Sequence, residues 1–434
     1  MRVFSCDACG QTLFFENNGC ERCGHELGFL PRTMSLLALE RDGKVLKDFN
    51  GETRYAYCAN AAQGVCNWLV ATPGELCTAC RHNQTIPDLS VDENLRGWWA
   101  LEIAKHRLFY TLLRLKLPLR DLAEDPVHGL AFDFLADPPG PGPRILTGHD
   151  EGLITINLAE ADDAMRERLR AEMGEPYRTL LGHFRHEVGH YYWNELVRDG
   201  GRLEDCRMMF GDDERDYGEA LQQHYEQGPP TGWEENYVSA YATTHPWEDF
   251  AETWAHYLHI IDTLETASAF GLRIHPHRTE EEILHTDIDF DPYRVETIET
   301  LIDAWLPLTF AMNALNRSMG HTDMYPFVLS GPVIQKLGFI HNLIRGQKEA
   351  VLNKPARMAA PNPPPPSEPP APPGPSPIRP PVEPPPEPGP DIRPPIEEPP
   401  MELPPQEIPP SPPAGDPPPL RAGQQVVLKM LPAG

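Results

Sequence analysis

Nowhere does the sequence hold the ~20 consecutive apolar residues that a bilayer-spanning helix requires, which argues against a membrane-embedded protein. The opening MRVFSCDACG has no basic start leading into an apolar run. It lacks the signature of a secretory signal, so we expect a cytoplasmic protein. Basic residues are scarce as well: 37 Lys and Arg stand against 64 Asp and Glu, a formal charge of −27. Such a balance keeps a chain soluble and disfavours DNA phosphates or anionic lipid as partners. Cysteine almost vanishes after residue 80, with eight of the nine lying before that point. Clustering of this kind in a reducing compartment points to metal rather than disulfides. The ninth, Cys206, stands alone and reads as a small buried hydrophobe.

Proline is what the chain has in excess, 51 residues gathered mostly behind residue 353 in runs such as PNPPPPSEPP. Composition thus divides the chain into a Cys-rich region (residues 1–90), a body of ordinary globular composition (91–350) and a proline-rich tail (351–434). The tail has few backbone donors and little apolar area to bury, so we expect a solvated, disordered segment biased to polyproline II. Two roles stand open for it, an acidic solubilising linker or a ligand for a protein partner that reads proline.

In the body, Leu95, Trp98, Leu101, Leu108, Leu112 and Leu115 space a long amphipathic helix between Asp92 and Pro118. After the loop DPPGPGP, the stretch RILTGHDEGLITINL alternates around two glycines and predicts a strand or hairpin. The segment PYRTLLGHFRHEVGHYYWNELV predicts a helix with Pro176 near its start and Gly200–Gly201 past its end. Further helices are expected from Pro246 towards Ile261, over Val295–Leu315 and over Val333–Ile344. Strands ahead of a central helix, then mostly helix, define an α+β domain.

Cys6-x-x-Cys9-Gly and Cys20-x-x-Cys23-Gly have the form of two zinc knuckles, enough for one four-cysteine site. Cys58, Cys66, Cys77 and Cys80 make a second, looser set. Sequential and cross-braced pairing of the two sets both fit the spacing. Closed all-cysteine sites hold small folds together and do no chemistry. No basic stripe with interleaved aromatics accompanies them, so nucleic acid is not expected as a partner.

His186-Glu187-Val188-Gly189-His190 is an HExxH sequence inside a helical pattern. Side chains four apart share a helix face, so both imidazoles can reach one metal ion. Glu187 stands beside them to take a proton from the attacking water and deliver it to the leaving amine, and zinc lowers that water's pKa from ~15.7 towards ~7. Leu180, Leu181, Phe184, Val188, Tyr191 and Trp193 imply that this helix is largely buried, where two histidines and a glutamate need partners. A catalytic zinc takes three protein ligands, and Glu248 and Glu252 share a face of the helix that begins at Pro246. Asp249 points about 100° away. Either glutamate can ligate while the other holds an imidazole; the acidic first turn also suits a helix N-terminus with no metal at all.

HEVGH with WEDFAETWAHY downstream resembles the glutamate zincins, and YATTHPWEDFAE is similar to the active-site segment of anthrax lethal factor. That resemblance implies Glu248 as third zinc ligand, Glu252 as the orienting partner of an imidazole, and Tyr241 as donor to the oxyanion of the tetrahedral intermediate. CNWLVATPGELCTACRHNQTIPDL, GLITINLAEADD and PWEDFAETWAHYLHI extend the likeness over residues 1–345. They are similar to a bacterial family of zinc-binding metallopeptidases with an N-terminal zinc-ribbon region. The resemblance implies a zincin-like fold, peptide or protein substrates, and one catalytic with two structural zinc ions. In zincins the strand before the HExxH helix pairs with extended substrate, which makes ITINL the candidate edge. The competing function is a zinc-ribbon scaffold whose zincin domain is silent; retention of Glu187 favours the enzyme.

Overall fold

A computed structural model describes residues 1–346 apart from 44, 50, 52, 139–144, 164–165, 167–178 and 278–281. The proline-rich tail, Pro176 and most of the DPPGPGP loop lie outside the described residues. Met1–Pro355 form one compact unit, and the architecture is α+β.

The first knuckle lies on the hairpin β1 (Phe4–Ser5) and β2 (Thr12–Leu13). A five-stranded antiparallel meander comes after it: β3 (Glu26–Leu30), β4 (Ser35–Asp42), β5 (Val45–Asp48), β6 (Arg54–Tyr57) and β7 (Leu69–Val70). Its inner face feeds Phe29 and Trp68, whose rings sit 4.9 Å apart, into the core. The meander is not sealed off from the body of the chain. Phe15 packs edge-on against Tyr110 at 5.3 Å and Trp68 against His106 at 5.1 Å, both partners lying on α1 (Asp92–Leu115). Moreover β8 (Asn83–Thr85) leaves the Cys-rich region to become an outer strand of the body's own sheet.

That sheet runs β10 (Gly148–Asp150), β11 (Leu153–Asn157), β9 (Ala131–Leu135), β8. Strands β11 and β9 are parallel, and β10 folds back antiparallel on β11 through Glu151 and Gly152, both at positive φ. Here one expectation is corrected. The ITINL strand is interior, because its outer side is already paired by β10; the edge on that side is Gly148–Asp150.

Helix α2 (Leu180–Tyr192) begins with the Thr179 side chain accepting from the Gly182 N–H, and it passes directly into a π-helical turn over Trp193–Arg198. Two short helices without a sequence expectation, α3 (Leu203–Phe210) and α4 (Tyr217–Gln227), come next. Helix α5 runs from Pro246 to Ala269, a full two turns past the predicted Ile261, since its buried face continues through Leu264 and Ala267. It is the centre of the body. Helices α6 (Ile298–Ser318) and α7 (Gly331–Ile344) pack against it. A β-carbon at Gly189 would stand 3.0 Å from the Ala251 Cα, so α2 and α5 cross almost backbone to backbone. Among the described residues no helix is long and apolar enough to cross a membrane.

Candidate metal centre and cysteine sites

The close crossing of α2 and α5 brings three ligand atoms together. His186 Nε2 and His190 Nε2 are 3.2 Å apart, and Glu248 Oε2 lies 3.0 Å from the first and 3.5 Å from the second. All three side chains are buried. The Nδ1–H of His186 donates to Glu252 Oε1 at 2.7 Å, and the Ser239 hydroxyl donates to Glu252 Oε2 at 2.6 Å. This fixes the tautomer and leaves the His186 Nε2 lone pair facing Glu248. Burial alone would raise the Glu248 carboxyl, but whenever His190 and His186 carry a proton their charge overcomes it and holds the group well below the usual carboxylate range. Burial likewise opposes ionisation of Glu252, and the His186 hydrogen bond overrides it to bring that pKa to about 2.

A metal ion fits this arrangement. Among the described residues, Glu248 Oε2 is buried with no hydrogen-bond donor and His190 Nδ1 with no hydrogen-bond partner. An orphaned carboxylate oxygen facing two imidazole nitrogens is a concentration of lone pairs that a cation satisfies better than any single proton. Two His and one Glu is also a donor set of catalytic zinc.

Glu187 is buried on the same turn of α2. Tyr241 stands in the short turn before α5, its ring 5.9 Å from that of His186. Burial, then the Glu248 charge and Tyr217, push its hydroxyl far above the ordinary tyrosine value, so it remains a proton donor. Asp249 faces away and pairs with Lys336 on α7 at 2.6 Å.

Several residues around the centre were not legible in the sequence. Tyr217 donates to Glu248 Oε1 at 2.9 Å, Ser239 orients Glu252, and Trp247 lies over His190 with ring centroids 3.7 Å apart. His149 on the edge strand stacks 6.1 Å from His190. Only Trp247, beside Glu248 in chain, offered a signal. A cavity of about 300 Å³ adjoins the centre on this side.

The cysteines group sequentially. Cys6, Cys9, Cys20 and Cys23 converge, with Sγ separations of 3.7 Å (Cys6–Cys23) and 3.5 Å (Cys9–Cys20). Gly10 and Gly24 adopt φ of 73° and 76°, the left-handed turn that lets each knuckle's backbone fold back on its first cysteine. Cys58, Cys66, Cys77 and Cys80 form the second cluster, and Cys80 Sγ also lies 3.6 Å from His106 Nε2 and 3.9 Å from Glu102 Oε2. Sequence reasoning missed those two. Their four-residue spacing on α1 was the available signal. Cys206 is buried, and burial pushes its thiol up to about 12.

A family model described as "Putative zinc-binding metallo-peptidase" matches residues 94–343, and a zinc-ribbon domain model matches residues 3–91. An uncharacterized protein of Mycobacterium tuberculosis strain H37Rv is 44% identical over 347 residues, covering 79% of this chain and 95% of its own length. An uncharacterized protein of Mycobacterium bovis matches with the same figures. No solved structure matches the chain.

Proposed function

This chain belongs to the zinc-binding metallo-peptidase family, and from that membership we propose that it hydrolyses peptide bonds at the His186–His190–Glu248 centre, with Glu187 as general base. The observation that carries the reading is the convergence of three buried ligand atoms, all within 3.5 Å of one another, on the turn that also bears Glu187. Bound there, zinc would supply Lewis acidity, bringing water to a pKa near ~7 and polarising a carbonyl.

The protein's own groups would do the rest. His186, His190 and Glu248 would hold the ion, and Glu252 with Ser239 would keep His186 in its ligating orientation. Glu187 would receive the proton of the attacking water and pass it to the leaving amine. The Tyr241 hydroxyl would donate to the oxyanion as the carbonyl becomes tetrahedral. Among the described residues no strand pairs with the outer side of Gly148–Asp150, and this edge would align an extended substrate by strand addition. Two further zinc ions would sit in the two four-cysteine clusters as closed structural sites.

Glu187→Gln tests the mechanism. Because Glu187 is outside the ligand set, the variant should retain its zinc content and fold while peptide turnover falls by about two orders of magnitude or more. Undiminished hydrolysis would refute the assignment. Absence of hydrolysis in the wild type across a broad peptide library would favour the scaffold reading instead.

A further inference from the structure

We propose that the cavity beside the metal centre is a side-chain pocket for a neutral carboxamide, the side chain of glutamine or asparagine in a bound peptide, and that Asn194 is its specificity residue. That the occupant belongs to a peptide rests on the peptidase function proposed for the centre; the chemistry of the pocket does not.

Asn194 lies in the π-helical turn that extends α2 beyond His190, and its backbone carbonyl accepts the Asp199 N–H at 2.9 Å. The residue is only 8% exposed and lines the cavity, and among the described residues nothing hydrogen-bonds its amide. An asparagine side chain offers two N–H donors and a two-lone-pair acceptor, and an amide with no protein partner bonds water or a ligand instead. What remains open to this amide is the cavity.

The rest of the lining narrows the occupant. Trp193, Trp247, Tyr217 and His149 supply flat aromatic walls that favour a planar group. The charges are largely committed. Arg198 is held by Glu151 at 3.0 Å and by Asp199, and Asp213 is held by Arg207 at 2.6 Å. Asp150 and Arg215 remain, both exposed at the rim and opposite in sign. With its other charges paired and these two exposed, the cavity gives an ionised side chain no buried counter-ion, so a neutral amide is preferred over a carboxylate or an ammonium. At about 300 Å³ it lies at the small end of ligand pockets, room for one side chain. Its walls touch the chemistry: Trp247 covers His190, and Tyr217 bonds Glu248.

The test uses the full zinc-loaded chain and reads tryptophan fluorescence, since Trp193 and Trp247 line the pocket. N-acetyl-glutamine methylamide is titrated against the methionine and glutamate analogues at pH 7. The glutamine compound should saturate at a roughly tenfold or lower concentration than either, the effect of one or two amide hydrogen bonds. Asn194→Leu should erase the difference between glutamine and methionine. Asn194→Asp, nearly isosteric and safe if the leucine variant fails to fold, should weaken glutamine by replacing a donor with a charge. Equal binding of glutamine and methionine, no saturation by any compound, or unchanged selectivity in the aspartate variant would overturn the proposal. A parallel peptide-library digest separates the two readings: glutamine binding without any cleavage would remove the peptidase function and leave the pocket assigned.

Discussion

Between His186 and Glu248 the division of labour can be tested one carboxylate at a time. On the proposed assignment Glu248→Ala removes a direct ligand and should abolish most zinc affinity at this centre. Glu252→Ala removes no ligand but the hydrogen bonds from His186 Nδ1 and Ser239, and losses of ~10–100-fold are typical for such an orienting group. Zinc titration reads both, and a larger loss for Glu252→Ala would exchange the two roles. How far the sequence reached is clearest at these residues. Four-residue spacing on a helix was enough to pair His186 with His190 and to place Glu187 beside them. The same spacing left Glu248 and Glu252 equivalent, and resemblance alone ordered them. Tyr217 and Ser239 were out of reach, since they enter the site from short segments whose pairing with α5 is decided by tertiary packing and not by local pattern.

At the level of elements, the geometry of the centre depends on how closely α2 and α5 approach. Gly189→Ala illustrates the balance. Alanine gains about 1 kcal/mol of helix propensity over glycine. Against this, its β-carbon would stand 3.0 Å from the Ala251 Cα and 3.3 Å from its carbonyl oxygen, backbone atoms that cannot move without the helix. Overpacking of this kind costs ~1–3 kcal/mol, so the net change should be destabilising, and separating the helices should also weaken zinc binding. Chemical denaturation and zinc titration check the two effects; a variant as stable as wild type with unchanged affinity would show that the crossing is not tight. The strong periodic helices were legible because each carries a continuous apolar face. Helices α3 and α4 were not, α3 being only eight residues long and α4 largely exposed. The edge of the sheet was misjudged for a different reason: alternation marks a strand but does not say which neighbours pair with it.

Over the whole molecule, buried histidines give stability an acid limit. His82, His256 and His341 are all buried, and burial, the leading cause for each, lowers them from the ordinary 6.5 to about 4. Below pH 6.5 the unfolded chain takes up protons that the folded one refuses. Their stabilising effect is therefore complete above 6.5 and is lost as pH falls towards 4, at on the order of 1 kcal/mol per pH unit for each group. Calorimetry in two buffers of different ionisation enthalpy at pH 5.2 should detect proton uptake on unfolding; none would contradict the assignment.

The Cys-rich region and the body behind it are not separable in the way that their compositions suggest. Strand β8 completes the body's sheet, and Cys80 of the second cluster touches His106 and Glu102 in the middle of α1. With zinc in that cluster, the ion ties down the helix on which the body is built. Scarcity of the metal would then have two outcomes at different depths. Mild depletion would empty the open His–His–Glu centre and leave an intact protein ready to be recharged. Severe depletion would reach the closed cysteine site and loosen α1 with it, so that a starved cell would hand the molecule to its degradation machinery instead of storing it in an idle form.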